Sequence, residues 1–190
     1  MLTSNVALKE WETVVQGLAS GKQLFLLRKG GIRDPKGAFE LQHREFLLYP
    51  TREHEKESAA ELLRSEFLDR PPARAAAAPS EIELSVYAGV AYVGELRDPS
   101  KLAKLERYHV WTPEFFKRRI EYRPKEPTLV VAVRAYQLLK PVRLPERPEY
   151  AGCKSWVTLS EQVPVEGATP GLDNARFRQA LEAIHAAVGR

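Results

Sequence analysis

The stretch VALKEWETVVQGLASGKQLFLLRKGG, Val6–Gly31, carries the reading on which the fold turns. Leu8, Trp11, Val14, Val15 and Leu18 recur at helical spacing, Ser4 or Asn5 stands where a cap belongs, and Gly21 suits the left-handed position after a helix. The spacing predicts a helix from about Val6 to Ala19. QLFLLRK, 23–29, is apolar on both parities, as in a strand covered on both faces, and Gly30-Gly31 ends it.

Outward from there, residues 38–49 read as extended, but the alternation changes phase. Phe39 and Leu41 share one parity, Phe46 and Leu48 the other, so a bulge or short break is expected in "QHRE", 42–45. A polar helix is expected over 57–68, and "DRPPARAAAAPS" reads as a Pro/Ala-rich surface loop at about 70–80. Alternating Ile82, Leu84, Val86, Ala88 and Val90 predict a strand over 81–93. Asp98-Pro99 and Thr112-Pro113 each begin a short helix with a cap and an N1 proline. TLVVAVRAYQLL, 128–139, is a strand, followed by a proline-punctuated loop at 140–150 and a short strand at 155–159. Asp173 caps a last helix with Phe177, Leu181, Ile184 and Val188 as its stripe. Spacers this unequal argue against regular βαβ winding. The expected fold is α+β: one domain over residues 1–190, with a single mixed sheet, flanking helices, and room to curl into a small barrel.

With 44% apolar and 28% charged residues among 190, the chain can bury a core. No window is apolar enough for a membrane span, the acidic N-terminus is unlike a secretory signal, and a lone Cys153 fits a reducing cytoplasm. The formal charge of +4 is uneven. Residues 101–147 hold 12 Lys/Arg against 5 Asp/Glu, a balance of +7, whereas residues 1–100 hold 13 against 15. Such a concentrated field favours anionic partners, nucleic acid first.

Arg28-Lys29-Gly30-Gly31 pairs two donors with a permissive backbone, a combination suited to phosphate or carboxylate as well as to a plain turn. His43, Arg44 and Glu45 sit at the phase change, and Tyr49-Pro50-Thr51 leads to His54. "ERYHVWTPEFFKRRIEYRP" interleaves His109, Trp111 and Arg119 with aromatic and basic neighbours, the ingredients of a surface that tracks phosphates and stacks bases. Arg134 interrupts VVAVRAY, so it is expected at the solvent or at a site. The expected ligand-binding residues are Arg28, Lys29, Arg44, Tyr49, Thr51, His54, His109, Trp111, Arg119 and Arg134. Arg28, Arg44, Tyr49 and His54 are expected in one concave site, where Arg28→Ala and Tyr49→Ala lower binding and leave stability alone. A P-loop, GxGxxG, HExxH, CxxC and GxSxG are all missing, so no metal or cofactor is expected. A nuclease would need Lys29, Glu40, Glu45 and His54 to converge around Mg²⁺ or Mn²⁺.

"ALKEWETVVQGLASGKQLFLLRKGGI", "FLLYPTREH" and "HVWTPEFFKRRIEYRP" together resemble the bacterial family catalogued as domain of unknown function 1802. The resemblance runs from about Val6 to Leu159 and implies a cytoplasmic bacterial protein associated with restriction-type systems, and hence with nucleic acid. It supplies no catalytic residues. The expected architecture is also similar to the small barrels of the PUA and ASCH type. Three functions follow as expectations: a nucleic-acid-binding module in a restriction, defence or RNA-handling system; a metal-dependent nuclease or phosphoesterase; and a protein-interaction module facing an acidic partner.

Overall fold

The computed structural model describes residues 1–29, 40–51, 61–67, 81–96, 99–122, 124–152 and 154–188. Gly30-Gly31, His54, Cys153, the Pro/Ala-rich loop at 70–80 and residues 57–60 and 68 of the expected polar helix lie outside the described residues; within 61–67 that helix is interrupted, Leu63 bridging to Trp111 and Ser65–Phe67 forming a single 3₁₀ turn. The elements in order are β1 (Thr3–Trp11), α1 (Glu12–Ala19), β2 (Phe25–Arg28), β3 (Glu45–Thr51), β4 (Glu81–Leu96), a long 3₁₀ helix (Pro99–Tyr108), α2 (Pro113–Glu121), β5 (Thr128–Pro145), β6 (Trp156–Pro164), β7 (Thr169–Pro170) and α3 (Asn174–Val188). They form one mixed sheet in the order β2-β5-β4-β3-β1-β6, with β7 added to β5. The fold is α+β.

The helix expected over Val6–Ala19 is a strand followed by a helix. Val6–Trp11 belongs to β1, which pairs in parallel with β3 and antiparallel to β6. Ala7 and Leu8 are both fully buried, yet they belong to separate cores. Adjacent strand residues point to opposite faces, so one segment serves both cores, which a helix cannot do. Val14, Val15 and Leu18 remain as the buried face of α1. Leu47 and Tyr49 join Ala7 on one face of the sheet, while Phe46 and Leu48 join Leu8 on the other.

The phase change at 42–45 is a break, with β3 starting only at Glu45. The loop expected at 140–150 is partly strand, because β5 runs on to Pro145. Its prolines fit for a local reason. Leu84 pairs with Val142 and Val86 with Gln137, so Pro141 lies in an irregular stretch that requires no ladder donor.

No ladder joins β2 to β1 among the described residues. In a flat sheet the four inter-strand steps between them, at about 4.8 Å each, would separate them by roughly 19 Å. Arg28 of β2 nevertheless donates through Nη2 to the Lys9 carbonyl at 2.9 Å and to Glu10 Oε2 at 2.8 Å, both on β1. The sheet is therefore strongly curled but open, and one guanidinium spans the gap.

Candidate nucleic-acid interface

β2 lies at the end of the sheet path, so its outer edge must find hydrogen-bond partners beyond the ladder. Arg119 of α2 supplies one, donating from Nη2 to the Leu27 carbonyl at 3.0 Å. Lys29 Nζ donates to the Ile120 carbonyl at 2.6 Å, in the last turn of α2, where carbonyls lack helical partners and a cation is favoured. Arg28, Lys29 and Arg119 thus converge where β2, β1 and α2 meet. Arg28 and Lys29 are 9% and 3% exposed. Burial and then the Arg28 charge lower the Arg119 pKa, partly offset by Glu10. Burial and then Arg119 lower that of Lys29, with Glu126 opposing. Among the described residues, Glu10 and Glu126 are the carboxylates that offset the mutual repulsion of these cations.

The long 3₁₀ helix extends that charge outward. At three residues per turn, positions three apart stack into rows. Leu102, Leu105 and Tyr108 form the inward row, and Lys101, Lys104 and Arg107 an exposed cationic one. Ser100, Ala103 and Glu106 form the third row and line a cavity of about 540 Å³ shared with α2. Thr112 caps α2, its Oγ1 accepting from the Phe115 amide at 3.4 Å, and Pro113 occupies the first turn. That start leaves Phe115, Phe116 and Ile120 half-buried, with Lys117 and Arg118 outward. Arg118 is engaged by Glu114 and Glu61.

The far wall of the cavity is aromatic. His109, 2% exposed, lies edge-on to Phe116 at 4.8 Å, and Trp111 stacks on Phe115 at 4.7 Å. Burial, then the Arg64 charge, pushes His109 down to about 4. The Leu102 and Trp111 carbonyls offset this in part, but neither ring nitrogen completes a hydrogen bond of good geometry.

The sequence matches the family described as Domain of unknown function (DUF1802) over residues 7–183. The chain belongs to that family. No protein of curated function matches it. It is similar to the crystal structure of ASCH from Zymomonas mobilis, with 12% identity over 94% of this chain and 94% of that one and a TM-score of 0.46. A single-residue mutant of the same protein aligns at 12% identity over 96% and 99%, with a TM-score of 0.45.

In this DUF1802 chain the expected site residues do not all meet. Arg28, Lys29 and Arg119 converge, and His109 and Trp111 line the adjoining cavity. Thr51 ends β3 opposite Trp11. Tyr49 pairs with Lys9 and lies on the sheet face opposite the Glu10 that holds Arg28, 2% exposed, packed against Tyr150 and 3.4 Å from Glu146. Arg44 precedes β3, where its carbonyl accepts from the Val90 amide at 2.8 Å. Glu10 pairs with Pro50, so Glu45 and Arg44 sit roughly 17 and 20 Å along the chain from the level of Glu10. The single concave site expected for Arg28, Arg44 and Tyr49 is therefore not formed, because strand parity and register separate them.

Arg134 faces α3, bonded to Asn174 and set over Phe177 at 5.2 Å, five residues along β5 from the partner of Arg28. Glu45 bonds Tyr87, whose phenol is pushed up to about 12 by burial and then by that carboxylate. The Glu40 carbonyl accepts from Trp156 Nε1 at 3.0 Å on β6. Lys29 and Glu45 thus belong to different ends of the sheet. Among the described residues no His, Cys, Asp and Glu group could hold a metal, and no helix is long and apolar enough to cross a membrane.

Glu10 and the Lys101–Lys104–Arg107 row were not singled out from the sequence, and Phe116 was legible only as an inward residue of the helix at Pro113. The spacing K-x-x-K-x-x-R was visible, but only a 3₁₀ helix turns it into a single row.

Proposed function

We propose that this chain is a nucleic-acid-binding module. Its phosphate contacts come from the exposed Lys101, Lys104, Arg107 and Lys117, with Arg28, Lys29 and Arg119 contributing positive potential from behind them, since their own donors are engaged within the fold. The observation that carries the reading is the exposed row of Lys101, Lys104 and Arg107 on the 3₁₀ helix, with exposed Lys117 of α2 at the cavity the two helices share. Cations so arranged displace condensed counterions from a phosphate backbone, which is the main source of affinity in such complexes. A setting in a restriction or RNA-handling system is consistent with that role. The nuclease reading has no comparable support, since Lys29 and Glu45 do not share a cleft.

The test is binding of labelled single- and double-stranded oligonucleotides at several salt concentrations. Log affinity should fall linearly with log salt. Lys104→Ala and Lys117→Ala should each reduce that slope by about 0.7–0.9 per lost phosphate contact. Both side chains are exposed, so the melting temperature should not move. Absence of binding at low salt, or binding indifferent to salt, overturns the reading.

A further inference from the structure

The phosphate contacts leave the 540 Å³ cavity between the 3₁₀ helix and α2 without a role. We infer that it receives one unstacked nucleobase from a strand whose phosphates lie along the neighbouring cationic row. The inference rests on the nucleic-acid reading above and names what the protein reads beyond charge.

Size and lining fit a flat ring. The volume falls within the roughly 300–1,000 Å³ of sites that take small organic ligands. Trp111, His109 and Phe116 form its wall, and Phe116 is only half-buried, so part of its ring is still open to a contact. Base–aromatic stacking tolerates any sequence, because every base has a π-face.

Charge separates the two parts of a nucleotide. At the cavity itself Arg64 is matched by Glu106 at 3.6 Å and Glu66 at 3.5 Å, which suits a neutral base. The Lys101–Lys104–Arg107 row lies immediately beside the Ser100–Ala103–Glu106 row, so phosphates meet cations at the lip. The His109 ring nitrogens and Trp111 Nε1 are shielded from water, so the cavity offers a base ring surface and not these polar atoms. That suits stacking without a choice among bases.

The experiment uses the full chain and three labelled probes: a short single strand, the same strand in a duplex, and the same strand with abasic sites replacing its bases. The base-bearing single strand should bind about tenfold more tightly than the abasic strand, the scale of one base–aromatic stack. It should also bind more tightly than the duplex. Ala103→Trp places a ring at an exposed position of the cavity wall; it should reduce the base-to-abasic ratio to about one and leave the salt slope unchanged. Lys104→Ala should do the reverse, changing the slope and keeping the ratio. If Ala103→Trp fails to fold, Phe116→Leu is expected to lower the same ratio. Salt-sensitive binding with equal affinity for base-bearing and abasic strands, or a ratio that survives a folded cavity-filling variant, overturns the inference and leaves the nucleic-acid reading standing. No salt-sensitive binding to any probe removes both.

Discussion

His109 is held among Phe25, Trp111 and Phe116, with ring centroids 5.8, 5.9 and 4.8 Å away. Its folded pKa of about 4 lies below the ordinary 6.5, so the unfolded chain binds a proton that the folded chain refuses. This group has no effect on the pH dependence of stability above about pH 7, and it destabilises the fold progressively as pH falls from 6.5 towards 4. A displacement of that size corresponds to about 3 kcal/mol in full, most of it expressed by pH 4.5. Urea unfolding of the native chain and of His109→Leu at both pH values should show the loss only in the native chain, over and above the shared carboxylate effect. The sequence showed a histidine among aromatic residues. Its burial depends on packing between the 3₁₀ helix, α2 and β2, which single-residue chemistry does not reveal.

At the level of elements, α1 illustrates how packing overrides propensity. Gly17 sits in its interior, where alanine would ordinarily improve a helix by about 1 kcal/mol. A Cβ there would lie 2.9 Å from Gln23 Cβ and 3.0 Å from Val110 Cγ1. Gln23 cannot readily yield, because it is fully buried and its Oε1 accepts from the Val110 amide at 2.8 Å. Gly17→Ala should therefore destabilise the protein by about 1–3 kcal/mol, the usual cost of overpacking, as read by chemical denaturation. A gain in stability would show that the contact relaxes freely. The glycine's place in a helical pattern was legible; Val110, which both faces it and fixes Gln23, lies far along the chain.

For the molecule as a whole, the decisive feature is the curl that brings β2 within reach of β1. Arg28 spans that gap, and the Arg28–Glu10 pair is nearly dry, with side chains 11% and 12% exposed. Removing one partner strands the other charge in a shielded place, which makes buried pairs costly to break. Arg28→Ala should lower stability by about 2–4 kcal/mol, and a double-mutant cycle with Glu10→Ala should show strong coupling between the two. This reverses the expectation that Arg28→Ala changes binding alone. The same holds for Tyr49, which is a packed core residue with Tyr150. A silent Arg28→Ala would mean that the curl is held by the helices and not by this bridge.

The amino-acid sequence by itself determined the local grammar of the chain. The strands around 81–93 and 128–139, the capped α2 starting at Pro113 and the Asp173-capped α3 follow from side-chain period and capping chemistry, which act over a few residues. The basic bias of 101–147 was equally direct, since charge is additive along a segment. Tertiary structure decided the rest. Val6–Trp11 becomes a strand because β3 and β6 supply its ladder partners, although its apolar spacing also fits a helix. Arg28 and Arg119 meet, while Arg44 and Tyr49 part, because register and face assign each side chain its neighbours, and those are set by strands distant in sequence. The cavity exists only where the 3₁₀ helix and α2 pack together, since neither encloses a volume alone.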